Sequence, residues 1–161
     1  MKSDDDKNNE IKVMRATVEH VNDIFKLTYA MAKKGLMLQR SKYKIITMLG
    51  NFFVAVDKDG TVAGCGALTL LWLDMGEIMA LAVNDNYRGR GIGKKIVQTL
   101  IKEGRRLKVK EIITLTYKTA FFEKLGFTMT DKDHFPRKLW RECLECPKLE
   151  ECDEIAMHMI L

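Results

Sequence analysis

The sequence predicts an α/β (α+β) chain built on a single mixed, mostly antiparallel sheet, flanked by helices on both sides. Three observations lead there. Two apolar runs, 52–56 and 62–72, are joined by Asp57-Lys58-Asp59-Gly60, a hairpin turn in which glycine supplies the positive φ. Two further apolar runs, 77–83 and 111–115, flank a stretch where Ile92, Ile96, Val97, Leu100, Ile101 and Leu107 recur at helical spacing. Finally, 161 residues that are 47% hydrophobic and 30% charged suffice for one buried core without a disulfide or metal staple.

The elements follow in order. Residues 1–10 are polar and acidic and are expected to be disordered, leaving 11–161 as one domain. Residues 11–15 read as a short strand. Thr17 then caps a helix that carries Val21, Ile24, Phe25, Thr28 and Met31 on one face and stops at Gly35. Ser41 caps a second helix running through Tyr43, Ile46, Thr47 and Leu49 to Gly50. The run 77–83 (EIMALAV) is apolar on both faces, which predicts a central strand. The basic amphipathic helix from Ile92 leads into the buried strand 111–115, a short helix over 118–125 ended by Gly126, and a strand over 127–130. A turn or short helix near 139–144 and a last strand over 154–160 complete the chain.

Composition excludes several classes. With 2 Pro and 11 Gly the chain is neither collagen-like nor low-complexity. No apolar run approaches the roughly 18 residues of a membrane span, and the polar start resembles no signal or transit peptide, so a cytoplasmic protein without a membrane partner is expected. The net charge of +5 is unevenly spread: the stretch 88–110 holds nine Lys/Arg against Glu103 alone. Such a field suits a phosphorylated ligand. A nucleic-acid partner is not expected, because only Tyr87 supplies an aromatic beside that stripe. Cys143-x-x-Cys146-x5-Cys152 would need a fourth zinc ligand from His134, His158 or an acid; reduced cysteines and no metal are expected. Cys65, between two glycines, reads as a small core residue.

The most informative segment is Asn86-Tyr87-Arg88-Gly89-Arg90-Gly91-Ile92-Gly93-Lys94, set between a buried strand and the basic helix. Alternating glycines let successive N–H groups face one side, and the helix N-terminus adds its unpaired donors and dipole, so phosphate or pyrophosphate binding is implied. It is neither a Walker loop, lacking Gly-Lys-Ser/Thr, nor the dinucleotide G-x-G-x-x-G. The segment resembles the acetyl-CoA loop of the GNAT N-acetyltransferases, Q/R-x-x-G-x-G/A, with Arg88, Gly91 and Gly93 at its marked positions. Phe121-Phe122-Glu123-Lys124-Leu125-Gly126-Phe127 is similar to that family's F-Y-E-K-L-G-F segment. Gly35-Leu36-Met37-Leu38-Gln39-Arg40-Ser41, Gly64-Cys65-Gly66, Leu115-Thr116-Tyr117 and the tail from Phe135 to Met157 resemble the short, stand-alone amino-acid N-acetyltransferases, the N-acetylglutamate synthases of arginine biosynthesis. One departure is Gln39, where that family carries Pro before Arg-Ser.

The resemblance implies a GNAT fold with acetyl-CoA as cosubstrate, lying in a V-shaped gap between the strands 77–83 and 111–115. Leu81, Ala82 and Val83 would pair with the pantetheine arm, and Arg88, Gly89, Arg90, Gly91, Ile92, Gly93 and Lys94 would hold the pyrophosphate. Glu77 is the only acid in its apolar strand; by pattern it is either a base or a strand-end carboxylate, and its match to the family's frequent catalytic Glu favours the base. Phe122 replaces the family's Tyr and cannot give a proton, so Tyr117 or Thr116 substitutes, or the thiolate leaves unaided. Arg40, beside Leu38, matches the substrate-loop arginine and suits a carboxylate; Lys118 could take a second one. L-glutamate is therefore the expected acceptor. A GNAT enzyme for another amine (protein N-terminus, polyamine or drug) and a non-catalytic acyl-CoA-binding module are the alternatives, and the sequence leaves a homodimer open.

Overall fold

In the computed structural model, which describes residues 10–135 and 152–161, the expected mixed sheet forms. Its elements are β1 (Lys12–Arg15), α1 (Val21–Lys33), α2 (Lys42–Thr47), β2 (Phe52–Val56), β3 (Val62–Trp72), β4 (Met75–Val83), α3 (Ile92–Arg106), β5 (Glu111–Thr116), α4 (Thr119–Glu123), β6 (Thr128–Met129) and β7 (Ile155–Ile160). The strand order is β1-β2-β3-β4-β5-β7-β6, antiparallel throughout except for β4 against β5. That parallel pair is the strand–helix–strand unit, with α3 as its crossover. No helix among the described residues is long and apolar enough to cross a membrane.

Helices cover both faces. Ile92, Ile96, Val97 and Leu100 of α3 pack with Ala55, Ala63, Leu68, Ile78 and Ile112 on one side. Val21 and Ile24 of α1 and Ile45 of α2 pack with Phe52, Val54, Cys65 and Ala67 on the other. The close approach of α3 depends on β3 having no side chain at two positions. A Cβ at Gly66 would lie 2.8 Å from Ile96 Cγ2, and one at Gly64 3.0 Å from Ile96 Cδ1. The glycines flanking Cys65 thus let the helix settle against the strand.

Most expected boundaries hold within two residues. The hairpin turn forms with Gly60 at φ +84° and Asp57 Oδ1 accepting from the Asp59 and Thr61 amides, 2.9 Å each. Thr17 caps a single turn, Val18–His20, that leads into α1. The second helix differs from expectation. It ends at Thr47, and Gly50 belongs to a separate turn, Leu49–Asn51. Its buried residue is Ile45, whereas Tyr43 and Ile46 are exposed. At six residues α2 offers the sheet one position per turn, and Ile45 takes it. The strand expected at 127–130 shrinks to Thr128–Met129, with Phe127 buried as a core plug before it. The turn or helix expected at 139–144 lies outside the described residues.

One ionic cluster ties β1 to α3. Glu103 accepts from both Arg106, at 2.7 and 2.8 Å, and Arg15, and its side chain is only 11% exposed. The Arg106 hydrogen bond above all, with Arg15 adding to it against the cost of burial, holds the Glu103 carboxyl down to about 2, from an ordinary 4.5. A depressed folded-state pKa stabilises the fold above the unfolded value, and that contribution is lost as pH falls. The stability difference between the parent and Glu103→Gln, read from denaturant unfolding, should therefore be full at pH 7 and shrink between about pH 4.5 and pH 2. A difference that persists unchanged at pH 2.5 would assign the effect to packing.

Candidate active site

The site begins where two strands stop pairing. β4 and β5 share three registered pairs, Met75↔Glu111, Gly76↔Ile112 and Glu77↔Ile113, although β4 continues to Val83 and β5 to Thr116. The cause lies in β4. Its register against β3 slips between Cys65↔Ala82 and Ala67↔Met79, so Ala80 and Leu81 together oppose Gly66. Ala80 sits in the left-handed region at φ +54°, the signature of a bulge that turns the strand away from its partner. Two side chains brace the opening. Cys65 Sγ donates to the Ala80 carbonyl at 3.5 Å, and Thr114 Oγ1 donates across the gap to the Ile78 carbonyl at 3.1 Å. Burial pushes the Cys65 thiol up to about 12, against the smaller opposing effects of the Ala82 backbone and the Arg40 charge, so it remains a protonated donor.

Between the splayed strands lies a cleft of about 1140 Å³. One end is closed by the glycine-rich loop. Asn84 Oδ1 accepts from the Asn86 amide (3.0 Å), fixing the turn Asp85–Tyr87, after which Gly89 and Gly91 take φ +76° and +71°. A Cβ at either glycine would meet nothing within 4 Å, so the backbone dihedral, and not crowding, calls for glycine here. Gly91 is the N-cap of α3, and the first helical bond runs from Lys95 N to Gly91 O (3.0 Å). The Ile92, Gly93 and Lys94 amides therefore stand ahead of the helical ladder, at the positive end of a 15-residue helix, and all three residues line the cleft.

The loop is anchored from behind. Tyr87 OH donates to the Asp57 carboxylate of the β2–β3 turn, and the Arg90 guanidinium lies over the Tyr87 ring, 5.0 Å from its centroid. This hydrogen bond holds the Asp57 carboxyl below its ordinary value and raises the Tyr87 phenol. Arg90 consequently points its side chain to a second, smaller cavity shared with Asp57 and Asp59, away from the main cleft. Arg88 stays at the cleft, with Nε 2.8 Å from Asp85 Oδ1.

The other expected residues fall as follows. Glu77 is half-buried and lines the cleft at the last paired position, where the strands begin to part. Leu81 and Val83 line it beyond the bulge, while Ala82 turns its side chain into the core beneath α1. Arg40 is 7% exposed, donates from Nη1 to the Leu38 carbonyl at 3.2 Å, and lines the cleft together with Leu38. Lys118 is exposed at the cleft wall; its amide donates to Thr116 Oγ1 at 2.9 Å, which fixes the turn out of β5. Tyr117 OH donates to Asp153 Oδ1 at 2.8 Å. Burial first, then that hydrogen bond and the nearby Glu154 charge, raise the Tyr117 phenol well above its ordinary value. Sequence reasoning missed Thr114, Asp153 and Glu154. Only the fold places the start of β7 beside the end of β5. Of the clustered cysteines, Cys143 and Cys146 lie outside the described residues, and Cys152 is a free thiol at the cleft.

The model of the acetyltransferase (GNAT) family matches residues 18–127. The chain belongs to that family. It is an acetyltransferase with acetyl-CoA as cosubstrate, and the matched residues include the glycine loop and both splayed strands. An uncharacterized N-acetyltransferase of Chlorobaculum tepidum is 39% identical over 149 residues, spanning 90% of this chain and 93% of that protein. An amino-acid acetyltransferase of Mycobacterium tuberculosis is 38% identical over 118 residues, 72% of this chain and 67% of its own length. A crystal structure of a Mycobacterium tuberculosis protein in complex with CoA superposes with a TM-score of 0.81 at 30% identity, covering 93% of this chain and 99% of that one. The N-acetylglutamate synthase of Neisseria gonorrhoeae, solved with coenzyme A and N-acetyl-glutamate, shares the fold (TM-score 0.84, 22% identity), and this chain covers 35% of it.

Placing Asp at Gly91 puts a side chain on a left-handed residue and a negative charge at the helix N-terminus. The KM for acetyl-CoA should rise at least about tenfold in Gly91→Asp. Gly91→Ala should rise less, which separates charge from backbone strain. An unchanged KM in a folded Gly91→Asp variant would remove the loop from the cosubstrate site.

Proposed function

We propose that this GNAT acetyltransferase acetylates the α-amine of L-glutamate, the N-acetylglutamate synthase reaction of arginine biosynthesis. The observation that carries the reading is Arg40, a buried guanidinium lining the cleft. A guanidinium fork at a ligand cavity matches a planar carboxylate and can hold it through two parallel hydrogen bonds. Lys118 reaches the same cleft from the turn after β5 and can receive the acceptor's other carboxylate. The amino-acid acetyltransferases among the relatives support an amino-acid acceptor.

In this reading the amides of Gly89 to Lys94 hold the pyrophosphate, and the Leu81 to Val83 backbone, released from β5, pairs with the pantetheine arm. The same backbone donors meet the oxyanion as acetyl transfer proceeds. Glu77 takes the ammonium proton, directly or through a water, which frees the amine to attack the thioester carbonyl. Of the two candidate acids, Tyr117 is a poor one: its proton is committed to Asp153 and its phenol is raised further from a thiol's pKa near 8.5. The thiolate therefore leaves unaided, and Tyr117 and Thr116 shape the cleft wall.

Thiol release from acetyl-CoA, measured across amino acids, polyamines and peptides, tests the acceptor: glutamate should give the highest kcat/KM. Glu77→Gln should lower kcat by about 10²–10⁴-fold, with partial recovery at high pH where more of the amine is already free. A rate equal to the parent's at neutral pH would make Glu77 structural. Arg40→Lys keeps a cation but loses the fork; the KM for glutamate should rise by about one to two decades while that for acetyl-CoA stays put. Turnover of a polyamine or peptide with glutamate not accepted would refute the glutamate reading.

A further inference from the structure

A second set of chemically able side chains lies outside the cleft. Glu111 is the first residue of β5, His158 lies within β7, and His134 ends the turn Lys132–His134 that follows β6. Register brings the first two together. Glu111 pairs with Ile160 and Ile113 with His158, so Glu111 and His158 are diagonal neighbours on one sheet face. The turn after β6 then lays His134 over the same spot. His158 Nδ1 and His134 Nε2 lie 2.7 Å and 2.9 Å from a single oxygen, Glu111 Oε1. One ligating atom from each of the three side chains falls within 4.8 Å of the others. The imidazoles meet edge to face at 72°, with centroids 5.5 Å apart, and each turns one nitrogen to that oxygen. Glu111 is 13% exposed and His158 22%, whereas His134 is 46% exposed and forms the rim.

We propose that Glu111, His134 and His158 bind a divalent transition-metal ion of the zinc class, through Glu111 Oε1, His134 Nε2 and His158 Nδ1, with a fourth position open to solvent. Two imidazoles and one carboxylate form a borderline donor set that suits zinc and disfavours magnesium or calcium, which take oxygen ligands. Tetrahedral ligands about 2.0–2.1 Å from zinc stand roughly 3.3 Å apart, so Glu111 Oε1 needs to part from each imidazole nitrogen by only about half an ångström. The three residues come from segments 23 and 47 positions apart, so an ion here staples the turn after β6 to the sheet. Next to His134, Phe135 is buried with Met75, Ile113 and Ala156, and the staple would hold that cover in place. The ion's role is structural. Glu111 opens β5 opposite Met75, and Thr116 closes that strand at the cleft about 16 Å further along at strand rise; Glu77 stands between them, opposite Ile113, and the metal site rests on none of the acetyl-transfer assignments. The sequence alone argued against a metal because it weighed the cysteines as ligands, and only the register pairs Glu111 with His158.

Chelator-stripped protein titrated with cobalt(II) and with zinc, followed by visible absorption, metal content and thermal unfolding, tests this. One ion per chain should bind, cobalt should show d–d bands without thiolate charge transfer, and zinc but not magnesium should raise Tm. His134→Ala combined with His158→Ala should weaken zinc binding at least about a hundredfold, beyond the 10–100-fold typical of outer-shell changes. If that pair of changes prevents folding, His134→Ala alone, at the exposed rim, gives the same reading. Absence of saturable zinc binding would leave a hydrogen-bonded triad and overturn the proposal. So would a thiolate charge-transfer band that persists in His134→Ala, which would put the metal on cysteines.

Discussion

The molecule depends on a ladder that stops early. β4 and β5 pair at three positions and then separate, although both strands have residues left to pair. Unpaired strand backbone is costly unless something else satisfies it, so the gap is stable only as a place for a ligand or with local substitutes. Two substitutes are built in: Thr114 bridges to the Ile78 carbonyl, and the Cys65 thiol supports the Ala80 carbonyl at the bulge. The remaining donors of β4 are left at the cleft wall.

The rest of the site is hung on that opening. Glycines on β3 let α3 lie close to the sheet, which sets the height at which its N-terminus meets the gap. Left-handed glycines at 89 and 91 turn the chain into that helix, while Tyr87 and Asp57 tie the loop to the β2–β3 turn. A helix N-terminus aimed at the mouth of a splayed strand pair gives donors along the cleft and donors at its end. That combination fits a ligand with an amide arm and a pyrophosphate.

The charged groups divide by what surrounds them. Arg40 is buried at the cleft, whereas Arg90 lies against the Tyr87 ring and the outer cavity. Tyr117 spends its hydroxyl proton on a hydrogen bond to Asp153. At the start of β5, Glu111 gathers two histidines. One strand thus carries a functional group at each end, because its two neighbours, β4 and β7, reach it from opposite directions.

Much of this was legible in the residues themselves. The hairpin at Asp57–Gly60, the basic helix from Ile92, the glycine loop and the central strand rest on local periodicity and turn chemistry, which act over a few residues and are written along the chain. The candidates Glu77, Arg40 and Lys118 were also readable, since each is a charge set in a telling local pattern or family motif. Pattern failed where the answer depended on which face meets the sheet. In α2 it is Ile45 that the sheet buries, with Tyr43 and Ile46 left exposed, because a helix of six residues has too few turns to declare its face. It was silent on Thr114, Asp153 and the Glu111–His134–His158 group, which arise from register between distant segments. The sequence by itself determined the elements, the loop and the family, because those are local. Only the tertiary structure decided where the strands part and which distant side chains meet, because pairing register is fixed by packing over the whole sheet.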